Sequence, residues 1–149
     1  MTVSIRRLEE ADRNRWQDLF LDYFEFYEVT VPDNGFDQVW RWIFDPHNDF
    51  WCNLAVNDDG RIIGFAHYQL WHSTLTASMA CYLADLFVEP PARGIGAGRL
   101  LIDSVMTFAR DEGLSSVDWL TQDNNYAGRQ LYDSYQPKSD FIFYTVPTG

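Results

Sequence analysis

Lysine is nearly absent from this chain: of its 11 basic residues only Lys138 is one, and the other ten are arginine. That absence excludes a P-loop, which needs a lysine directly after its last glycine. No uninterrupted apolar run reaches the roughly 18 residues of a membrane span, and the N-terminus MTVSIRRLEE has no apolar signal core, so a cytoplasmic protein with no membrane partner is expected. Cysteine is scarce. Cys52 and Cys81 each stand in an apolar, strand-like run without metal-ligand spacing and read as buried free thiols rather than a disulfide. The three histidines, His47, His67 and His72, lack a third ligand at useful spacing, so no metal site is expected. Positive charge is short as well: 22 acidic residues against 11 basic ones leave a net charge of -11, which opposes nucleic-acid backbones and favours cationic partners.

What the sequence does hold is apolar and aromatic. At 149 residues, 46% hydrophobic and 17% aromatic, it suits one domain over residues 1–149 with a substantial core. TVSIRRL alternates like a strand, and Glu9 to Asp12 supply acids suited to a helix start. From Trp16, the positions Leu19, Phe20, Tyr23, Phe24 and Tyr27 recur at three- and four-residue steps and form one aromatic stripe for a core. VPDNG breaks that helix, and Phe36 to Phe44 form a short second one. FWCNLAV and RIIGFAHYQLW flank NDDG, a hairpin turn with Gly60 at a positive φ. ACYLADLFV is a further strand. A helix from about Ala97 to Glu112, ended by Gly113, follows the glycine loop. SSVDWLT then reads as a strand, NYAGRQLYDSY as a helix and DFIFYTV as a last strand. The order βααβββαβαβ implies an α/β (α+β) fold, a mixed sheet flanked by helices.

The most informative stretch is EPPARGIGAGRLLI at 89–102. A dinucleotide fingerprint is disfavoured, because Arg99 stands where the third glycine belongs and no acidic residue ends a strand about 20 residues on. What remains is a strand, a loop rich in backbone N–H groups without Cβ obstruction, and a helix N-terminus whose partial positive charge favours an anion. A pyrophosphate fits such a cradle.

R-G-I-G-A-G at 93–98 resembles the R/Q-x-x-G-x-G/A signature of the GCN5-related N-acetyltransferases, and it follows L-x-D-L-F-V at Leu83 to Val88 as in that family. Asn125, Gly128, Leu131 and Tyr132 reproduce the family's N-x-x-A/G-x-x-L-Y, and the element order agrees along nearly the whole chain. The resemblance implies a mostly antiparallel sheet in which the pantetheine arm of acetyl-CoA lies beside the splayed strand at Leu86, Phe87 and Val88. Backbone amides of Arg93, Gly94, Ile95, Gly96, Ala97, Gly98 and Arg99 would hold the pyrophosphate, with Asn125 and Gly128 on the same cofactor side. One strand N–H would polarise the thioester carbonyl as a primary amine attacks directly through a tetrahedral intermediate. Asp85 is the candidate base, the alternative being a merely solvated carboxylate, and a water chain could serve in its place. Tyr132 is the candidate acid for the departing thiolate, the alternative being a core tyrosine.

YLADLFVEPPARGIGAG and WLTQDNN, with the aromatic first helix, look like the polyamine- and histone-acetylating, diamine acetyltransferase-like branch. Phe24 and Glu25 match that branch's polyamine-contacting pair. Ala84 replaces a glutamate found there, and Gln136-Pro137 replaces the family's Gly-Phe. The expected acceptor is a polyamine, another small cationic amine or a lysine side chain, and the expected assembly is a homodimer. An amino-acid acceptor, or a non-catalytic acyl-CoA-binding regulator on the same scaffold, is the alternative.

Overall fold

The three central strands form because β-branched and aromatic runs are punctuated by two turns that fold the chain back on itself. The computed structural model describes residues 2–149 and divides into two compact units, one ending at Trp119 and one beginning at Leu120. In the first unit, β1 (Ser4–Arg7) leads through a 3-10 turn at Glu10–Asp12 into α1 (Arg13–Phe26), then α2 (Gly35–Phe44), β2 (Phe50–Val56), β3 (Ile62–Ser73), β4 (Ser78–Val88), α3 (Ala97–Asp111) and the two-residue β5 (Val117–Asp118). The sheet order is β1-β2-β3-β4-β5, antiparallel except for the parallel β4–β5 pair. The β2–β3 turn closes as expected, with Gly60 at φ +77° and Asn57 N–H donating to the Arg61 carbonyl at 2.9 Å.

Both faces of the sheet are covered, which is why the central strands read as nearly continuous apolar runs. On one face Trp16, Leu19 and Phe20 of α1 bury against Leu54, Phe65 and Phe87, and Phe36, Val39, Trp40 and Ile43 of α2 pack against the same cluster. On the other, Leu101, Ile102, Val105 and Ala109 of α3 are buried, and Phe108 meets Tyr68 and Trp51. The 3-10 turn that leads into α1 is fixed by a capping box: Glu9 N–H donates to the Asp12 carboxylate at 2.8 Å, and the Arg6 fork grips the same group at 2.8 and 2.9 Å. Cys52 and Cys81 are buried free thiols, and burial pushes Cys81 up to about 11.

The second unit holds α4 (Tyr126–Asp133) and a C-terminal run. Here one expectation is corrected. DFIFYTV forms no strand, and Phe141, Ile142, Phe143, Tyr144 and Val146 are 67–83% exposed. Strand preference measures fit to a pleated, half-buried surface, and among the described residues this run has no ladder partner to supply one. SSVDWLT is likewise shorter than expected, since only Val117 and Asp118 pair. Among the described residues, no helix is long and apolar enough to cross a membrane.

Candidate active site

Asp85 of β4 gathers polar partners from two other elements of the first unit, His67 of β3 and Tyr23 of α1. The β3–β4 register pairs His67 with Asp85 but Tyr68 with Leu83, so Ala84 is an extra residue in β4. That bulge inverts the alternation and turns Asp85 onto the α1 face, beside His67 and Tyr82; a regular strand would have carried it to the α3 face. The Asp85 side chain keeps 22% exposure and accepts from His67 Nδ1–H at 2.9 Å. Tyr23 of α1 also bonds to it, and burial, then the Asp85 charge and that bond, drive the Tyr23 phenol well above its ordinary value. Tyr27, bonded to Tyr23, and Tyr82 are raised by burial and by the same charge. Three neutral phenols therefore surround one carboxylate.

The aromatic stripe of α1 splits between this site and the core. Tyr23 and Tyr27, with ring centroids 4.9 Å apart, turn towards Asp85, whereas Phe24 packs on Phe20 and Phe36. Glu25 is exposed. Spacing alone merged Tyr23 and Tyr27 with the core, although their hydroxyls, one turn apart at the solvent end of the stripe, were a signal that they face something polar.

The same stretch of β4 has an open backbone edge. Pairing with β5 stops at Tyr82, so Leu83 to Val88 are paired only with β3. Glu89 N–H donates to the Ile63 carbonyl at 2.9 Å, and a Cβ on Gly64 would lie 2.7 Å from the Phe87 carbonyl oxygen. Phe87 and Glu89 therefore face β3, and alternation turns the N–H and C=O groups of Leu86 and Val88 to the open side. Phe87 buries its ring between Tyr23 and Phe65. Arg93 Nε–H donates to the Val88 carbonyl at 2.9 Å, with its guanidinium over the rings of Phe26 and Phe87.

The loop after β4 is shaped by two glycines. Gly94 and Gly96 take φ of +89° and +90°, conformations that a Cβ strains, and open space lies where their side chains would be. Gly96 is the N-cap of α3, whose first bond runs from Leu100 N–H to the Gly96 carbonyl. The amides of Ala97, Gly98 and Arg99 are thus in the first turn, where N–H groups lack intrahelical acceptors and the dipole favours negative charge. Ile95 is half-buried, Ala97 is buried beneath the turn, and Arg99 is exposed at its start. Upstream, Glu89 anchors the strand end: burial raises its carboxyl, but bonds from Arg61 and Arg15 outweigh this and hold it below its ordinary value.

In the second unit, Asn125 is the N-cap of α4. Its Oδ1 accepts from Gly128 N–H at 3.2 Å and its Nδ2 donates to Thr121 Oγ1 at 2.9 Å. A Cβ at Gly128 would meet Asn125 Nδ2 at 2.4 Å, which explains the N-x-x-G spacing locally. Tyr132 is half-buried near the end of the same helix.

A model of the acetyltransferase (GNAT) family matches residues 15–135. D-amino-acid N-acetyltransferase HPA3 of Saccharomyces cerevisiae is 29% identical over 143 residues, 95% of this chain and 89% of that protein. An uncharacterized N-acetyltransferase of Bacillus subtilis, YhfO, is 27% identical over 97% of both chains. Among solved structures, the aminoglycoside acetyltransferase AAC(6')-Iy, in complex with a CoA-containing bisubstrate analog, superposes with a TM-score of 0.83 at 20% identity, over 99% of this chain and 100% of its own. The chain therefore belongs to the acetyltransferase (GNAT) family, acyltransferases that carry an acetyl group from acetyl-CoA to an amine nitrogen.

Proposed function

We propose that residues 1–149 act as one acetyltransferase domain on a small cationic primary amine, either a polyamine-like compound or a lysine side chain, with Asp85 taking the proton the acceptor must lose. The observation that carries this reading is the partly exposed Asp85 carboxylate framed by Tyr23, Tyr27 and Tyr82. A carboxylate among aromatic faces suits an ammonium ion, and a net charge of -11 draws cations towards the protein. An alkylammonium with a pKa of about 10.4 is almost wholly protonated at neutral pH. Asp85 within hydrogen-bond reach of that nitrogen removes the obstacle. Exposed Glu25 supplies further acidic surface for the remainder of a long cation, and the half-buried Phe24 next to it in α1 contributes only the part of its ring not packed on the core.

Acetyl-CoA supplies the acyl group already activated as a thioester. The residues present fit it in two places. The outward N–H and C=O of Leu86 and the N–H of Val88, with Phe87 behind them, suit an extended amide-bearing arm, while the Val88 carbonyl already accepts from Arg93. The turn at Arg93, Gly94, Ile95 and Gly96, with the amides of Ala97, Gly98 and Arg99, leaves room at both strained glycines for a polyanion to approach main chain. Asn125 and Gly128 are assigned to the same ligand by their motif. Tyr132 is assigned as the Oη donor for the proton that a departing thiolate needs.

The relative HPA3 is named for D-amino acids, which favours a second reading in which the acceptor is the amine of an amino acid. Thiol release measured across diamines, lysine peptides, aminoglycosides and D- and L-amino acids separates the two. The first reading expects the highest kcat/KM with diamines or lysine peptides; a preference for amino acids establishes the second. We also propose a homodimer. The exposed run at 141–146 offers β-branched and aromatic residues that a second copy can pair under a twofold axis, each giving about 1.5–3 kcal/mol when buried. Light scattering that shows a monomer at micromolar concentration excludes it.

A further inference from the structure

His67 lies wholly buried in mid-β3, its ring among those of Trp16, Phe20, Phe50 and Phe65 at centroid distances of 4.7–6.0 Å. In such surroundings both ring nitrogens need partners, and both have one. Trp16 Nε1 lies 3.0 Å from His67 Nε2, and His67 Nδ1 lies 2.9 Å from Asp85 Oδ2. An indole nitrogen only donates, so Nε2 is the acceptor and the ring proton stands on Nδ1, aimed at Asp85. Sequence position concealed this: the three residues come from α1, β3 and β4, and the bulge at Ala84 brings the last two onto one face.

We propose that His67 is a positioning residue for the proton transfer, a donor locked in one tautomer by Trp16, which fixes the Asp85 carboxylate and cannot itself receive the proton. The proposal rests on the reading of Asp85 as the base. In the step, an N–H bond of the acceptor breaks, its electron pair stays on nitrogen, and an O–H bond forms on Asp85; the Nδ1 proton of His67 does not move. Passing the proton inward would place an Nε2–H against the Trp16 N–H, two donors facing each other in a site that excludes water. Asp85 is therefore the inner end of the route. Its proton returns towards the side lined by Tyr23, Tyr27 and Tyr82 and from there to solvent. This reverses the familiar order in which a histidine is the base and an aspartate orients it.

Two substitutions divide the ring's two bonds. His67→Asn places an amide N–H where Nδ1–H stood and abandons Trp16; His67→Gln reaches towards Trp16 and abandons Asp85. Each empties part of a packed site, so both should lower the melting temperature to a similar degree. The proposal expects kcat of the folded His67→Gln protein to fall on the order of 10- to 100-fold, with acetyl-CoA affinity unchanged, while His67→Asn stays within about threefold of wild type. Long-range proton–nitrogen NMR of the full-length wild-type protein should show His67 as the Nδ1–H tautomer, a reading that requires no variant to fold. An Nε2–H tautomer or an imidazolium at neutral pH overturns the proposal. Asp85→Asn keeps the failures apart: if it is nearly inactive while His67→Asn and His67→Gln turn over alike, only the positioning role falls. A near-normal Asp85→Asn ends the base assignment and the role of His67 with it.

Discussion

Gly64→Ala should weaken acetyl-CoA binding and catalysis although Gly64 lies on β3 and belongs to no recognised motif. An alanine Cβ there would come within 2.7 Å of the Phe87 carbonyl oxygen, 3.2 Å of Val88 Cγ2 and 3.3 Å of Val88 Cα. Ordinary contact begins near 3.4 Å, so β4 must retreat by about 0.7 Å, and it must do so at the residues whose backbone forms the open edge. Overpacking of this kind costs about 1–3 kcal/mol, and the stiffer unfolded chain returns about 0.4–1 kcal/mol. The net loss is at most about 2.6 kcal/mol, so for a chain of this length the melting temperature should fall by up to about 10 °C. A displacement approaching 1 Å beside reacting groups reduces rate by up to about 100-fold, so kcat/KM should drop at least about tenfold. Gly60→Ala is the control. It meets nothing within 4 Å but sits at φ +77°, so it should cost about 1–2 kcal/mol of stability with unchanged kinetics. Melting curves, acetyl-CoA titration and thiol release on both variants decide the matter. A folded Gly64→Ala protein with wild-type acetyl-CoA affinity and kcat would refute the placement of the acyl-donor site along β4.

Three further outcomes follow from particular contacts. Gly96→Val puts a branched side chain at φ +90° and into the space above the α3 N-terminus, so acetyl-CoA should no longer raise the melting temperature, a shift of about 2.7 kcal/mol at 100 times Kd in the wild type; unchanged affinity in a folded variant removes the cradle assignment. Tyr132→Phe should lower kcat on the order of 100-fold while acetyl-CoA affinity holds; near-normal kcat with a good acceptor ends its assignment as acid. Asp12→Asn should cost about 1–2 kcal/mol at pH 7, through the lost capping box and Arg6 bonds. The Arg6 bonds hold the folded Asp12 below its unfolded value of about 3.9, so this stabilisation is fully present above that pH and disappears as pH falls through the folded value. Melting temperatures of the two proteins should converge below about pH 4, and a difference that stays constant with pH contradicts the linkage.

Features whose cause is local were legible in the sequence. The turn at Gly60, the glycines at 94 and 96 and the N-x-x-G of Asn125 and Gly128 each answer to a backbone angle or a cap within a few residues. Gly98 differs from its two neighbours, since it lies inside the first turn of α3 rather than at a left-handed position. Features that depend on register were not legible. The Ala84 bulge decides which face Asp85 takes, and nothing in CYLADLFV announces it. His67 therefore looked like an ordinary strand residue, and Tyr23 and Tyr27 looked like continuations of the apolar stripe. The final strand was misjudged for a related reason: Phe141 to Val146 have strand composition, but pairing is a property of a neighbour that composition does not contain.

The central claim, that Asp85 deprotonates a cationic acceptor for acetyl transfer from acetyl-CoA, is tested most directly by comparing wild type and Asp85→Asn on the best diamine found, with product amine and released thiol counted together. The account predicts one acetylated amine per thiol in the wild type. In Asp85→Asn, kcat should fall at least about 100-fold, with the acetyl-CoA-induced rise in melting temperature preserved. An Asp85→Asn protein that acetylates the diamine at the wild-type rate would contradict it.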